Sequence, residues 1–299
     1  MSRIELTGLI GSHPLGALAS FGLLRVVSRT DPNARLCFVE RDDWICALDS
    51  SFVTNDDLLE FLGTWTESAV PEVLRAFGDD DVRVAPSRFH DMIRDALAGA
   101  TPDGDLASFL VAIAADGAED NTKHLVKPSP FYMASGQQSF LDTMRRIRNH
   151  VRKREAWSEA LFGPWRYSTP ESSAGWDPGT ERLHALRHKA PSADKKPACV
   201  GGAVWLGFES LPLFPSFSVA RVVRTVGWVE EKRTNQFRWP VPGRPVSIDA
   251  LGVLLASAEV VGIPGRRRPL REGIAAVYES TRHEFGQGYG VFRPARRLG

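Results

Sequence analysis

The chain has 299 residues, 43% hydrophobic and 24% charged, a composition that suits a soluble globular protein and excludes disorder throughout. Its net charge of +1 hides a split: residues 1–120 hold nine Arg and no Lys against 21 Asp and Glu, a net of −12, which leaves +13 for the remainder. Three cysteines, Cys37, Cys46 and Cys199, are too few and too scattered for a disulfide framework and point to a reducing cytoplasm.

At the N-terminus Glu5 precedes any apolar run, so no signal peptide is expected. Pro14 opens LGALASFGLLRVVS, whose apolar spacing predicts a buried helix with proline in the first turn, where its missing N–H costs nothing. Residues 35–48 form two β-prone runs around Glu40 to Asp43, a hairpin pattern in which Cys37 and Cys46 either face each other or are separately buried thiols. Thr54 or Asn55 then caps an amphipathic helix, with Asp56 and Asp57 at the positive end of its dipole. Further helices are expected over 87–98 and 105–115. The polar stretch 116–130 predicts a boundary between an acidic region, 1–120, and a basic region, 131–299.

In the basic region, LDTMRRIRNHVRKR (141–154) reads as one helix, capped from the serines and glycine of 135–139, and carries six Arg or Lys and a His. A long loop spans 162–197. A buried helix, AVWLGFESL, follows Gly201 and Gly202. SVARVVRTVGWV and NQFRWPV alternate as strands with basic residues on one face, Ser247 opens another helix, and the last residues read as a strand and a glycine-loosened basic tail. The fold class expected is α+β: acidic helices and a hairpin first, then basic helices and antiparallel strands. No run reaches the roughly 18 apolar residues of a membrane span.

The motifs of nucleotide-binding phosphate loops, zinc proteases and serine hydrolases are missing, and no cofactor or metal is expected. His184 and His188, four apart and followed by Cys199, have metal-ligand spacing, but Arg182, Arg187 and Lys189 would repel a cation. His90-Asp91 could start a metal-dependent phosphohydrolase site but has no downstream partner pattern, and Glu230-Glu231-Lys232 has the E-x-K spacing of some nucleases where the solvated charge of a hairpin turn explains it better. Electrostatics is more informative. Arg145, Arg148 and Arg152 recur at three- and four-residue steps, with Leu141, Met144, Ile147 and Val151 buried opposite, and the stripe they form with Lys153 either faces phosphates or is a solvated helix face docked on the acidic half. Arg266, Arg267 and Arg268, between Pro264 and Pro269, form a second basic element. Trp157, Trp165, Tyr167, Trp176, Trp205, Trp228 and Trp239, interleaved with arginines, are either stacking platforms for single strands or core.

Two groups of residues carry a resemblance. LTGLIGSHPLGALASFGLLRVVSRTD (6–31) resembles the opening of proteins of type I-G (formerly I-U) CRISPR systems, their large-subunit family among them. The series Gly136 to Leu141, Leu161 to Trp165, Trp176 to Pro178, Leu213 to Pro215, Thr225 to Trp228 and Phe237 to Pro240 is similar to smaller proteins of such loci, some described as an extension of the helicase-nuclease component. The resemblance implies a nucleic-acid-linked role in RNA-guided defence, as a subunit or accessory of an effector complex, with guide RNA or target DNA and other effector subunits as partners. In such complexes base pairing reads sequence, while protein reads backbone and shape. The chain is shorter than a typical large subunit and shows no nuclease or helicase core, so binding is expected rather than cleavage. The alternatives are a metal-dependent nuclease of another type and a protein adaptor without nucleic-acid contact.

Overall fold

The computed structural model describes residues 1–68, 70–78, 81–99, 105–120, 122–133, 139–179, 197–231, 234–257, 273–285 and 289–298. The fold is α+β. Its centre is α1 (Pro14–Ser28), in which every residue from Pro14 to Val27 is buried. A helix apolar on all sides needs covering on all sides. On one side lies a three-stranded antiparallel sheet of β1 (Ser2–Ile10), β2 (Arg35–Glu40) and β3 (Trp44–Ser50), in the order β1-β3-β2. Against another lies α8 (Gly201–Glu209), also buried along its whole length. The two helices touch backbone to backbone at Gly22, where a Cβ would stand 1.8 Å from the Leu206 carbonyl oxygen.

The 35–48 hairpin forms with Phe38 opposite Cys46 and Cys37 opposite Ala47, so the two cysteines lie on opposite faces of the sheet. All three thiols are free and buried. In α2 (Asn55–Ser68) the cap is Thr54: its hydroxyl accepts from Asp57 N at 3.1 Å, and the Asp57 carboxylate accepts from Thr54 N at 2.8 Å. Next come α3 (Val73–Ala76), α4 (Pro86–Ala98) and α5 (Leu106–Ile113). The stretch 116–130 holds part of a β-ribbon, β4 (Ala114–Glu119) with β5 (Val126–Pro128).

Ser139 caps α6 (Phe140–His150), accepting from Asp142 N at 3.1 Å, and α7 (Arg154–Phe162) follows. After α8 the hairpin β6 (Ser216–Val219) and β7 (Val222–Thr225) docks on β4 through Ser218, whose hydroxyl donates to Gly117 O at 2.7 Å. Its turn holds Ala220 and Arg221 at φ 49° and 64°. The remaining strands, β8 (Trp228–Glu231), β9 (Thr234–Pro242), β10 (Ile274–Phe285) and β11 (Tyr289–Phe292), form one antiparallel sheet in the order β11-β10-β9-β8, with β12 (Arg296–Arg297) beside β10. Between β9 and β10, Ser247 caps α9 (Ile248–Leu255). Leu36 of β2 bridges to Val246, in the segment between β9 and α9. One hydrophobic cluster runs from Ile4 to Phe292, so the acidic and basic stretches share a core.

Buried charge ties them as well. The Arg25 guanidinium reaches the Glu209 carboxylate at 2.9 Å and Asp105 at 2.5 Å, and Arg29 also pairs with Asp105. Within the larger sheet, Glu279 is 1% exposed and sits between Arg238 and Arg296, each at 2.7 Å.

Candidate nucleic-acid interface

On α6 the apolar side is as expected: Leu141, Met144 and Ile147 are fully buried, as is Val151 just beyond the helix. The expected arginine stripe on the other side does not form. Arg148 is 6% exposed, and its guanidinium donates to the carbonyl oxygens of Thr66 and of Glu67 at the end of α2. Arg145 donates through Nε to Leu74 O at 2.9 Å and through a terminal nitrogen to Gly78 O at 3.1 Å, around the end of α3. The last carbonyls of a helix have no partner within it and carry the negative end of its dipole, so a guanidinium satisfies them well. Arg145 and Arg148 therefore act as tertiary caps of α3 and α2, which leaves the Arg148 guanidinium buried.

Arg152 and Lys153, where α6 gives way to α7, are exposed, and their side chains have no hydrogen bond or ion pair among the described residues. Burial pushes the Arg148 pKa down, and the charges of Arg152 and Arg75 push it further, so three cations crowd together here, two of them in solvent. Arg75, on α3, joins the group through the fold alone. The neighbouring arginines are neutralised, Arg146 by Glu171 at 3.0 Å and Arg154 by Asp56. Arg266, Arg267 and Arg268 lie outside the described residues.

At the opposite end of α7 lies a cavity of about 400 Å³. Its walls are Thr7, Gly8 and Ile10 of β1, His13, and the turn Phe162 to Trp165. The approach of β1 to this turn depends on Gly8, where a Cβ would meet Ala160 O at 2.5 Å. His13 caps α1 by accepting from Gly16 N at 3.2 Å through Nδ1, which leaves the ring proton on Nε2, 3.3 Å from the fully buried Asp177 carboxylate. The Trp165 ring meets His13 edge-on at 5.2 Å and donates its N–H to Ala160 O at 3.2 Å. Arg166, next in sequence, is exposed. Two of the blocks that carry the resemblance, 6–31 and 161–165, supply the walls of this cavity, and a third, 176–178, touches His13 through Asp177. The pairing of His13 with Asp177 is the feature sequence reading misses; a histidine directly before the Pro14 of a buried helix is the signal it leaves.

The other aromatic residues settle mostly as core. Trp157, Trp176, Trp205 and Trp239 are fully buried. Phe131, Phe214, Trp228, Phe237 and Phe292 pack ring on ring with centroids 5.0–5.6 Å apart, and the Trp239 N–H donates to Gly11 O at 2.8 Å. Arg238 is buried against Glu279 rather than displayed on a basic strand face.

Among the described residues, the members of the fragments with metal-site spacing are not brought together. His90 is exposed and pairs with Asp116 at 3.2 Å, Glu230 with Arg224 at 3.0 Å, and Cys199 is fully buried, with burial pushing its pKa up. Among the described residues no group of three or more His, Cys, Asp or Glu is placed to hold a metal; His184, His188 and Lys232 lie outside them. No helix among the described residues is long and apolar enough to cross a membrane. The sequence matches no protein-family model and no curated protein.

Proposed function

We propose that the protein is a nucleic-acid-binding subunit or accessory of an RNA-guided CRISPR defence complex in the cytoplasm, meeting guide RNA or target DNA and other effector subunits. The observation that carries this reading is the pair of exposed cations Arg75 and Arg152, both close enough to Arg148 to act on its charge, with the exposed Lys153 next in sequence; the one carboxylate acting on Arg148, Glu209, is buried against Arg25. Like charges held together repel, and a polyanion relieves that repulsion while releasing its own counterions. The resemblance of 6–31 and of the later blocks to type I-G proteins supplies the biological setting.

The test is a salt titration of oligonucleotide binding by fluorescence anisotropy. Affinity is expected to fall steeply with salt, and the Arg75→Gln/Arg152→Gln/Lys153→Gln variant should lower the log–log slope by roughly one unit per lost contact. A flat salt response in the unmodified protein overturns the reading. A second reading, an adaptor between subunits, draws on the β6–β7 hairpin, which presents Phe217, Val219 and Val222 at 53%, 50% and 42% exposure on one face. Co-purification with another subunit and no nucleic acid, abolished by Phe217→Ser/Val219→Ser, would favour it.

A further inference from the structure

We infer that the cavity at the end of α7 receives one unstacked base of a single-stranded nucleic acid, with Arg166 on its rim facing the adjacent phosphate. This rests on the nucleic-acid reading above and adds to it a place where a base, rather than the backbone, is held.

Three observations support it. The first is size and lining: about 400 Å³ is within the range of small-ligand clefts, and the walls include the Trp165 and His13 rings with Phe162, Pro164 and Ile10. Flat, apolar walls suit the face of a heterocycle, and stacking on an aromatic side chain is how single-strand binders hold bases.

The second is that the polar groups of the lining are already engaged. The Thr7 hydroxyl donates to Phe162 O at 2.7 Å, the Trp165 N–H to Ala160 O, and both ring nitrogens of His13 are engaged by Gly16 N and Asp177. None of these groups has a proton left to read a base edge. The side chains of the site therefore offer a planar apolar face first, and no spare donor with which to distinguish one base from another.

The third is charge. Arg166 is exposed, while the carboxylate nearest its backbone, Glu159, is occupied by Arg166 N at 2.7 Å and by the Ser168 hydroxyl. From this rim α7 runs nine residues back to the exposed Lys153 and Arg152, roughly 13 Å at the rise of an α-helix, so the base site and the cation group lie at two ends of one short element. An apolar cleft whose Trp165 wall is followed directly by the exposed Arg166, with further cations at the other end of α7, fits a strand that is uncharged on its bases and anionic on its backbone.

The test uses the full chain and a short single-stranded oligodeoxynucleotide carrying one 2-aminopurine, with binding followed by anisotropy and base environment by 2-aminopurine emission. Binding is expected to change the emission. Trp165→Leu should weaken binding about tenfold without altering the salt slope, because it removes stacking and no phosphate contact, and Trp165→Phe should restore most of the affinity. Ile10→Trp, which fills the cavity from a half-exposed position, should act like Trp165→Leu and decides the matter if the leucine variant fails to fold. Arg166→Gln should reduce the salt slope by about one unit. If the unmodified protein binds the oligonucleotide but the emission is silent, and Trp165→Leu and Ile10→Trp bind as tightly, the base site is refuted while the nucleic-acid reading stands. If the unmodified protein does not bind, that reading fails and takes the base site with it.

Discussion

Arg148 closes the helix that ends at Ser68, through the carbonyls of Thr66 and Glu67: a residue of the basic stretch donates to the last turn of a helix of the acidic stretch, with 6% of its surface exposed. The charge split along the sequence is in this respect an internal complement, with cations of one half seated on the negative helix ends of the other.

Replacing Arg148 with Met keeps the aliphatic stem and removes the donors. The carbonyls of Thr66 and Glu67 lose that partner, so the variant should lose about 1–3 kcal/mol of stability in urea unfolding. Adding Arg145→Gln should lower it further. Nucleic-acid affinity at fixed folded fraction should not change, in contrast to what the spacing of Arg145, Arg148 and Arg152 alone suggests.

Alkaline pH should unfold the protein through its buried thiols. Burial raises the pKa of Cys37 and Cys199 and pushes Cys46 from 9.0 up to about 12. A raised pKa means the folded state holds the proton more tightly than the unfolded chain. The stabilisation is therefore complete below the ordinary thiol pKa and is lost as pH rises from there toward the folded value, by about 1.4 kcal/mol per pH unit for each thiol. Urea midpoints should fall between about pH 8 and about pH 10.5, and Cys46→Ala should flatten that fall. Thiol reagents at neutral pH should label none of the three cysteines until denaturant is added.

The turn of the β6–β7 hairpin places two residues with side chains, Ala220 and Arg221, where glycine and asparagine are at ease. Ala220→Asn/Arg221→Gly should relieve this and raise stability by about 0.5–1 kcal/mol, visible as a higher Tm. An unchanged or lower Tm would show that the turn is not strained.

Helices are legible in this sequence wherever a cap or proline coincides with apolar periodicity, as at Pro14, Thr54, Ser139 and Ser247. The strand Ser2–Ile10 is not, because its Ile4–Leu6 alternation breaks at Gly8, and Gly8 is there for contact with α7 rather than for the sheet. Nor is Ala114–Glu119, whose Ala, Asp and Gly are poor strand formers held by the strands beside them. For the candidate site, periodicity correctly separates the two sides of α6 but says nothing of what the polar side meets. A stripe of arginines looks the same whether it faces phosphate or the carbonyl ends of two helices distant in sequence, and the placement of Arg75 beside Arg152 comes from chain folding alone.

Gly22→Ala should be among the most damaging single changes in the protein. The added methyl would fall 1.8 Å from Leu206 O, and since that atom belongs to a helix buried on every side, neither backbone can yield. A loss of at least about 3 kcal/mol, or failure to recover folded protein, is expected.

The same contact has a consequence during synthesis. When the ribosome has made the first 120 residues, α1 exists as an apolar cylinder with only its sheet to lie on, and the helix that must cover its other side, ending at Glu209, is still untranslated. Until then the nascent chain carries an exposed hydrophobic surface together with most of its acidic residues, whose mutual repulsion keeps it apart from its neighbours. The net charge of −12 on the first 120 residues would oppose association through that surface until the second half arrives.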